Sequence, residues 1–485
     1  MKAKFSPYLD SIAPGLKKLV GLLGAKYDYV SVLSTDSTGF ASRISQRAKS
    51  VSHGTMMTER GSVVRVARGG LYGEYAFNLF DPERPELTAA EAVRALDAQL
   101  ELLKQTGTEI YDTALLPDEP CELRVEMETG SLPEETDLAA LLDKLTETSA
   151  RGVEADECIV DCIVNAQSTH VSKMFLTANR DMRQSYVYSE GAVVCVAAKD
   201  GRTELGYESV SGREGPEIFD ALPEKVGAVA GIARDLLGAE HIVPGEYEII
   251  VSPEVSGLIA HEAFGHGVEM DMFVKERALG KEYIGKRVGS DLVTMHEGAK
   301  PEIQVASYAF DDEGTLAHDT VEIKNGILLT GVCDALAALR LGVEPTGNGK
   351  RENFEHKVYT RMTNTVFASG ESTLEEMIAT VKYGYLLRGM QSGMEDPKHW
   401  GIQCIIDRGY EIVDGKLTGK VVSPIVMTGY VPELLGSISM LSRDHELFGS
   451  GGCGKGHKEW VKVSDGGPYM KAKARSEERR VGKEC

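Results

Sequence analysis

Alternating hydrophobic and polar positions in the first part of the chain predict strands with helices between them. The segments "YDYVSVL" (28–34) and "GSVVRVAR" (61–68) have the two-residue period of strands. Thr88 and Glu91 have the spacing of a capping box in front of a segment with apolar side chains at helical spacing. A further helix is predicted over "DLAALLDKL" (137–145). The chain therefore begins as an α/β region.

After residue 150 the pattern becomes richer in strands, and the second half is predicted to be largely β. Three dipeptides with strong hairpin preference separate apolar runs: Asp200–Gly201, Asn325–Gly326 and Asp414–Gly415. Ser372 and Glu375 predict the cap of a short helix. We expect these turns to join neighbouring antiparallel strands.

These patterns predict an α+β fold in two regions. Residues 1–240 form the N-terminal α/β region, with a possible further boundary near 118, and residues 241–474 form a β-rich C-terminal region. Residues 475–485, "RSEERRVGKEC", have no apolar period, and they are the translation of a common sequencing-adapter nucleotide sequence. We interpret this last segment as an artefact and expect it to make few contacts.

Composition narrows the function classes. The 485 residues include 53 Lys and Arg against 74 Asp and Glu, a net charge of −21 that argues against a nucleic-acid partner or an anionic membrane surface. No apolar run approaches the roughly 18 residues of a membrane span, and the first residues do not form a signal peptide. The eight cysteines are scattered, and Cys158 and Cys162 are interpreted as core thiols. We predict a cytoplasmic protein.

The segment "GLIAHEAFGHGVE" (257–269) resembles a zinc-protease helix with one extra residue. His261 and His266 are five positions apart, whereas the H-E-x-x-H signature needs four. On a regular helix this spacing separates the side chains by about 140°. Two interpretations remain: an ordinary helix with an outward histidine, or a metal site in which Gly265 and Gly267 permit a bulge that turns His266 back.

A possible third ligand lies far along the chain in "FGSGGCGKGHKEW" (448–460). This stretch nearly spells a phosphate-binding loop, but Gly456 replaces the required Ser or Thr and no apolar strand precedes it. We interpret it instead as a flexible loop presenting Cys453. Zinc accepts thiolate and imidazole, and a catalytic zinc has three protein ligands with one position open. His457 is interpreted as an exposed histidine rather than a fourth ligand.

Several motifs in this order resemble the TldD/PmbA family over roughly residues 28–470: "GSVVRVARGGLYGEYAFN", "SPEVSGLIAHEAFGHGVEMD", "FDDEGTLAHDT", "RMTNTVF" and "GSGGCGKG". The HEAFGH stretch is similar to the TldD-type subunits rather than to the TldE/PmbA type. The resemblance implies a zinc metallopeptidase with metal ligands His261, His266 and Cys453. It also implies that Glu262 is the catalytic base that activates a zinc-bound water.

The same resemblance implies unfolded or leader peptides as substrates, and a TldE/PmbA-like subunit or a second copy of the chain as partner. We expect extended peptides to bind by strand addition, without assigning substrate-binding residues. The alternative function is a non-catalytic zinc-containing binding subunit, which would need a fourth ligand. Asp271, Asp311, Asp312 and Arg361 are interpreted as solvated turn or surface charges, with orientation of ligands or substrate as the alternative.

Overall fold

The computed structural model describes residues 1–105, 113–455 and 458–477. Helix accounts for 27% of the structure and strand for 42%. The predicted α+β class is therefore confirmed. No helix in these described ranges is long and apolar enough to span a membrane.

The described part of the N-terminal half contains one sheet of eight strands. Its strands are β1 (Tyr29–Ile44), β2 (Lys49–His53), β3 (Arg60–Arg68), β4 (Leu71–Phe77), β5 (Cys121–Glu126), β6 (Ile159–Leu176), β7 (Arg180–Lys199) and β8 (Arg202–Gly212). Its central order is β4-β3-β1-β6-β7-β5, with β2 paired to β1 and β8 paired to β7. Only the β5–β7 pairing is parallel among those described. This sheet is therefore antiparallel except at the β5 edge.

Helices cover one face of this sheet, and the C-terminal half contacts the other. The helices are α1 (Pro7–Gly24), α2 (Pro85–Gln105), α3 (Leu138–Glu154) and α4 (Leu222–Leu237). Successive residues of a strand point to opposite faces. Val32 accordingly joins the core under α1 and α2, while its neighbour Leu33 packs with Phe310 of the C-terminal half. The alternation in β1 thus builds an internal core and an interface from one strand.

The C-terminal half contains a larger sheet and two small hairpins. Its strands are β9 (Gly245–Val251), β10 (Met295–Gly298), β11 (Thr320–Lys324), β12 (Ile327–Leu328), β13 (Gly349–Lys350), β14 (Tyr359–Thr360), β15 (Asn364–Phe367), β16 (Tyr383–Asp396), β17 (Gly401–Val413), β18 (Lys416–Val422), β19 (Ile425–Tyr430), β20 (Met440–Phe448), β21 (Gly452–Lys455), β22 (Lys458–Lys462) and β23 (Ser464–Glu477). Its helices are α5 (Pro253–Ile259), α6 (Met270–Val274), α7 (Ala335–Leu341), α8 (Leu374–Ala379) and α9 (Val431–Gly436).

Five strands of this sheet close into a ring, in the order β9, β16, β17, β19 and β23, because β23 pairs with both β19 and β9. Helix α5 shares a single hydrophobic core with these strands. Leu258 and Ile259 belong to the same cluster as Leu387, Ile406 and Met427. The segment that follows α5 is thereby held between the strands of the ring.

All strands of the first sheet end before residue 213, and all strands of the second begin after residue 244. We therefore propose the division near residue 240 as the boundary of two domains. The two halves also pack on each other, since Tyr186 and Val171 share a hydrophobic cluster with Val305 and Tyr308.

The hairpins predicted from dipeptides are confirmed. Asp200 and Gly201 have φ values of 51° and 80°, Asn325 and Gly326 have 49° and 77°, and Asp414 and Gly415 have 46° and 76°. Two successive positive φ values are the signature of the two-residue turn that matches strand twist. Each pair connects adjacent antiparallel strands.

The two capping predictions are wrong in position. Helix α2 begins at Pro85, so Thr88 lies inside it; proline is favoured at a first helical position because its fixed φ suits the helix. The short helix α8 is capped by Thr373 with Glu376, one residue after the predicted pair. Ser372 is instead engaged in a bridge with Ser442.

The expectation of few contacts for residues 475–485 is wrong for its first three residues. Arg475 and Ser476 pair with β9, and residues 475–477 pair with β19, so they continue β23. Their backbone groups complete existing ladders, which requires no apolar side-chain pattern. Residues 478–485 lie outside the described ranges.

Candidate metal centre

The two histidines of HEAFGH lie on a distorted helix. Helix α5 begins with Pro253 in its first turn, and a π-helical turn follows over Ala260–Gly265. The His266 N–H donates to the His261 carbonyl, five residues back. Because i→i+5 bonding widens each turn, residues five apart return to the same face. The interpretation as a regular helix is therefore wrong, and the bulge expected from the spacing is confirmed.

The two imidazole rings consequently face one space. Their centroids are 5.2 Å apart and their planes lie at 88° to each other. His261 is buried, and 18% of the His266 side chain is exposed. Gly265 permits this path because a Cβ there would overlap the sulfur of buried Met362. The glycine thus allows the π-helical turn to pack directly against the segment that leads to β15.

Cys453 lies in a two-stranded hairpin, so its assignment to a flexible loop is wrong. It belongs to β21 and pairs with Val461 of β22. Arg361, which is fully buried, donates from Nη2 to the Cys453 carbonyl at 2.8 Å and from Nη1 to the Glu459 carbonyl. A single guanidinium therefore holds the backbone of both hairpin strands. Glycine-rich composition alone did not reveal this pairing.

The hairpin brings Cys453 against the two histidines. Its Sγ lies 3.3 Å from His266 Nε2, and ligand atoms of all three residues lie within 4.8 Å of one another. Ligands of a tetrahedral zinc are separated by about 3.5 Å, given zinc distances of roughly 2.0 Å to nitrogen and 2.3 Å to sulfur. His261 Nδ1 is buried without a hydrogen-bond partner among the described residues. The donor set and its spacing fit a zinc ion.

The electrostatics of the three side chains are strongly coupled. Burial opposes ionisation of Cys453, but the adjacent His261 and His266 outweigh it and hold the pKa of the thiol well below its usual value. Burial also opposes charge on His261, yet Cys453 raises its pKa to about 9. Burial likewise opposes charge on His266, but Glu269 and Cys453 outweigh it and hold the pKa of His266 well above its usual value. This environment favours a thiolate beside positive charge.

Buried carboxylates lie behind both histidines, and sequence analysis missed them. Glu269 Oε2 is 3.3 Å from His266 Nδ1 and accepts a bond from Lys455 Nζ at 3.0 Å. Asp465 Oδ2 is 3.9 Å from His261 Nδ1. Carboxylates behind metal-binding histidines commonly fix ring orientation. Glu269 was visible as an acid three residues after His266, but Asp465 is too distant in sequence for any local signal.

Two further acids line this region. Glu262 is half-buried and lies against Gly393 of β16, where a Cβ would overlap the Glu262 side chain. Both carboxyl oxygens of Glu395 are buried without hydrogen-bond partners among the described residues. Burial raises the pKa of Glu395 to about 9, with the nearby Glu262 adding to the effect of burial. Glu262 therefore lies near a buried carboxyl group that is held in its neutral form.

The four charges interpreted as solvated are buried, so that interpretation is wrong. Asp271 accepts a bond from Lys455 Nζ at 3.0 Å, and Arg361 holds the Cys453 hairpin as described above. Asp311 accepts backbone N–H bonds within a turn and from Gly349, while Asp312 pairs with Lys173. Each of the four has at least one partner from a distant segment, so local sequence did not predict their burial.

Two cysteines and one histidine remain from the sequence predictions. Cys162 is buried with its Sγ 3.8 Å from Cys195, and Cys158 is half-buried, so the interpretation of core thiols rather than a disulfide is confirmed. His457 lies outside the described residues.

Comparison with known proteins identifies the family. The model of the PmbA/TldA metallopeptidase C-terminal domain matches residues 244–474. A metalloprotease of Methanocaldococcus jannaschii is 30% identical over 340 residues, which cover 67% of this chain and 74% of the relative. A zinc metalloprotease TldD homolog of Saccharolobus solfataricus is 32% identical over 59% of this chain and 62% of its own length.

The fold also matches a solved structure. The crystal structure of TldE from Thermococcus kodakarensis superimposes with a TM-score of 0.76 at 18% identity, covering 95% of this chain and 99% of that one. At this identity the likeness concerns the fold. Together with the sequence relatives, the matched C-terminal domain shows that this chain belongs to the PmbA/TldD metallopeptidase family.

Proposed function

We propose that this protein is a zinc-dependent peptidase in which His261, His266 and Cys453 bind the metal and Glu262 is the general base. The proposal is carried by one observation: two imidazoles and a thiol converge within 4.8 Å beside the segment that bears Glu262. The zinc metalloprotease name of the Saccharolobus relative supports the choice of metal. Thiolate and imidazole are ligands that zinc accepts readily.

The proposed roles follow from position. A zinc ion held here would supply a Lewis acid that polarises a peptide carbonyl and lowers the pKa of water to about 7. Glu262 would accept the proton of the attacking water and return it to the leaving amine. Glu269, which contacts His266 Nδ1, would keep that ring oriented with its other nitrogen toward Cys453.

We further propose unfolded or leader peptides as substrates, bound as an added strand on β16. In the described part of the chain, residues 390–396 pair with β17, while β9 reaches only residues 384–387 of the same strand. The other edge of residues 390–396 therefore remains open for main-chain hydrogen bonds. Gly393 lies in this segment, and one face of the strand is against Glu262 there. Main-chain pairing selects extended segments with little dependence on side chains.

The alternative is a non-catalytic zinc-containing binding subunit. Such a site would be closed by a fourth protein ligand. Within the described residues the metal-ligand cluster contains three side chains. A carboxylate directly after the first histidine also favours a catalytic site, because a structural zinc site needs no general base. The active assembly is proposed to include either a second copy of this chain or a TldE/PmbA-like subunit, as the family resemblance implies.

The test combines metal content with peptide cleavage. The His261→Ala and Cys453→Ala variants should lose both bound zinc and the ability to cleave an unfolded protein substrate. The wild type should cleave that substrate when it is unfolded but not when it is folded. Cys333→Ala is the matched control, because Cys333 is also a buried cysteine but lies outside the cluster. Both assays are run with and without a TldE-like chain. Full zinc occupancy in both ligand variants would refute the assignment, and equal cleavage of folded and unfolded substrate would refute the substrate class.

A further inference from the structure

The proposed zinc site of His261, His266 and Cys453 is called the HEAFGH centre below. A second group of side chains of metal-binding types lies outside it. Glu352, His356 and Glu459 each offer one ligand atom, and these three atoms lie within 4.8 Å of one another. Glu459 is buried, and the Glu352 and His356 side chains are 26% and 30% exposed. The three residues form what we call the EHE cluster.

The geometry of the EHE cluster is that of ligands around one ion. His356 Nδ1 is 3.1 Å from Glu459 Oε2 and 3.6 Å from Glu352 Oε2. Neighbouring ligands of a zinc-sized ion are separated by about 3–3.5 Å, given metal distances of roughly 2.1 Å. Both carboxylates approach the same ring nitrogen. A single Nδ1 proton shared between two carboxylates forms a weaker hydrogen bond with each, because it points straight at neither, whereas a cation bound to Nδ1 can bind both.

The charge balance also favours a cation. Among the side chains that the structure describes, His356 is the only ion-pair partner of Glu352 and of Glu459. Glu352 Oε2 additionally accepts the Trp460 N–H at 3.0 Å. Two carboxylates this close repel each other, and the repulsion grows as water is excluded. A divalent ion would neutralise both.

The ligands are held by different parts of the molecule. The segment that carries Glu352 and His356 is anchored to the N-terminal sheet, because the Phe354 N–H donates to Glu59 Oε2 at 2.7 Å. Glu459 instead lies in β22, the partner strand of Cys453. An ion in the EHE cluster would therefore tie the Cys453 hairpin to a segment that is already fixed.

We propose that the EHE cluster is a second site for a divalent transition-metal ion, distinct from the HEAFGH centre, that secures the Cys453 hairpin. Imidazole with two carboxylates suits zinc or manganese. The EHE cluster has no thiolate ligand, so it should bind zinc more weakly than the site that contains Cys453. Its three protein ligands leave room for water. Its ion serves in positioning and does not contact the peptide.

Cobalt(II) separates the two sites, because only a thiolate ligand adds a sulfur-to-metal charge-transfer band. The full chain, stripped of metal, is titrated with cobalt while bound metal and this band are followed. We expect two ions per chain, with only one contributing to the band. Glu352→Gln and His356→Ala should each reduce the count to one while keeping the band. They should also weaken the band-forming site by roughly 10-fold, as loss of outer support typically does.

His296→Ala is the matched control, since His296 also pairs with a carboxylate and is 27% exposed, and it should leave two ions. His261→Ala with Cys453→Ala should lose the band and keep one ion. Retention of one ion without a band in the wild type would refute the HEAFGH centre and leave the EHE site standing. One ion with the band in the wild type, or two ions in both EHE variants, would show that the EHE cluster binds no metal and is an ion triad only.

Discussion

At the scale of single residues, the proposed chemistry depends on separating the residue that moves a proton from the residues that bind metal. Glu262 follows the first histidine directly but is not part of the cluster of three ligand atoms. Glu269 Oε2 contacts His266 Nδ1, whereas Asp465 Oδ2 is 3.9 Å from His261 Nδ1. Substitution of Glu262 should therefore reduce peptidase activity, whereas substitution of a metal ligand should also reduce metal content.

Glu262→Gln should abolish most peptidase activity while keeping the metal. Glutamine preserves size and hydrogen bonding but cannot accept the proton, and general-base assistance is typically worth about 10²–10⁴-fold, or roughly 3–5 kcal/mol of barrier. Metal content, melting temperature and the rate of peptide cleavage are measured together. Glu276→Gln is the control, because that side chain is 83% exposed. Loss of zinc in Glu262→Gln would identify Glu262 as a ligand instead.

At the scale of elements, the π-helical turn converts an unsuitable spacing into a suitable one. Histidines five apart diverge on an α-helix but share a face when one turn is bonded i→i+5. The turn packs tightly, since Gly265 contacts Met362 and Met362 in turn belongs to the cluster around Cys453. Helix geometry and hairpin position are therefore linked through one side chain.

Gly265→Ala should destabilise the fold and weaken metal binding. Its Cβ would overlap the Met362 sulfur in a buried site, and overpacking of this kind typically costs about 1–3 kcal/mol. Gly227→Ala in α4 is the matched control: it is exposed, has no neighbour within 4 Å of the new Cβ, and should gain about 0.5–1 kcal/mol. Denaturant unfolding and metal content measure both. Equal stability of the two variants would contradict the packing argument.

At the scale of the whole molecule, buried charges join the two halves. Arg65 of β3 donates to Glu74 at 2.7 Å and pairs with Glu313 of the C-terminal half, while Arg351 donates to Glu74 at 2.7 Å. Burial opposes ionisation of Glu74, but the two arginines outweigh it and lower its pKa to about 2. The halves thus share a network in which each charge needs its partner.

Arg65→Met should destabilise the protein by about 3–5 kcal/mol, because it leaves buried Glu313 without its cation. Arg84→Met removes an exposed arginine, 65% accessible, from its pair with Asp81 and should change stability by less than about 1 kcal/mol. Both are measured by denaturant unfolding of the full chain. A loss in Arg65→Met no larger than that in the control would show that the network contributes little to joining the halves.

Much of the architecture was predictable because it depends on neighbouring residues. Turns such as Asn325–Gly326 need only two residues that tolerate positive φ, and Asp137 caps α3 by accepting from the N–H groups of Ala139 and Ala140. Helix ends were less predictable. Helix α2 begins at Pro85 rather than at the predicted Thr88 box, because more than one local start signal was present.

The sequence by itself determined the fold class, most elements and the unusual spacing of His261 and His266. Only the tertiary structure decided that these histidines meet Cys453, which is 187 residues from His266, and that the cysteine lies in a hairpin rather than a loop. The burial of Arg361 was likewise invisible locally. The physical reason is that short-range preferences act through the backbone of a few residues. Burial, hydrogen-bond partners and shifted pKa values depend on which distant segments the packed core brings together.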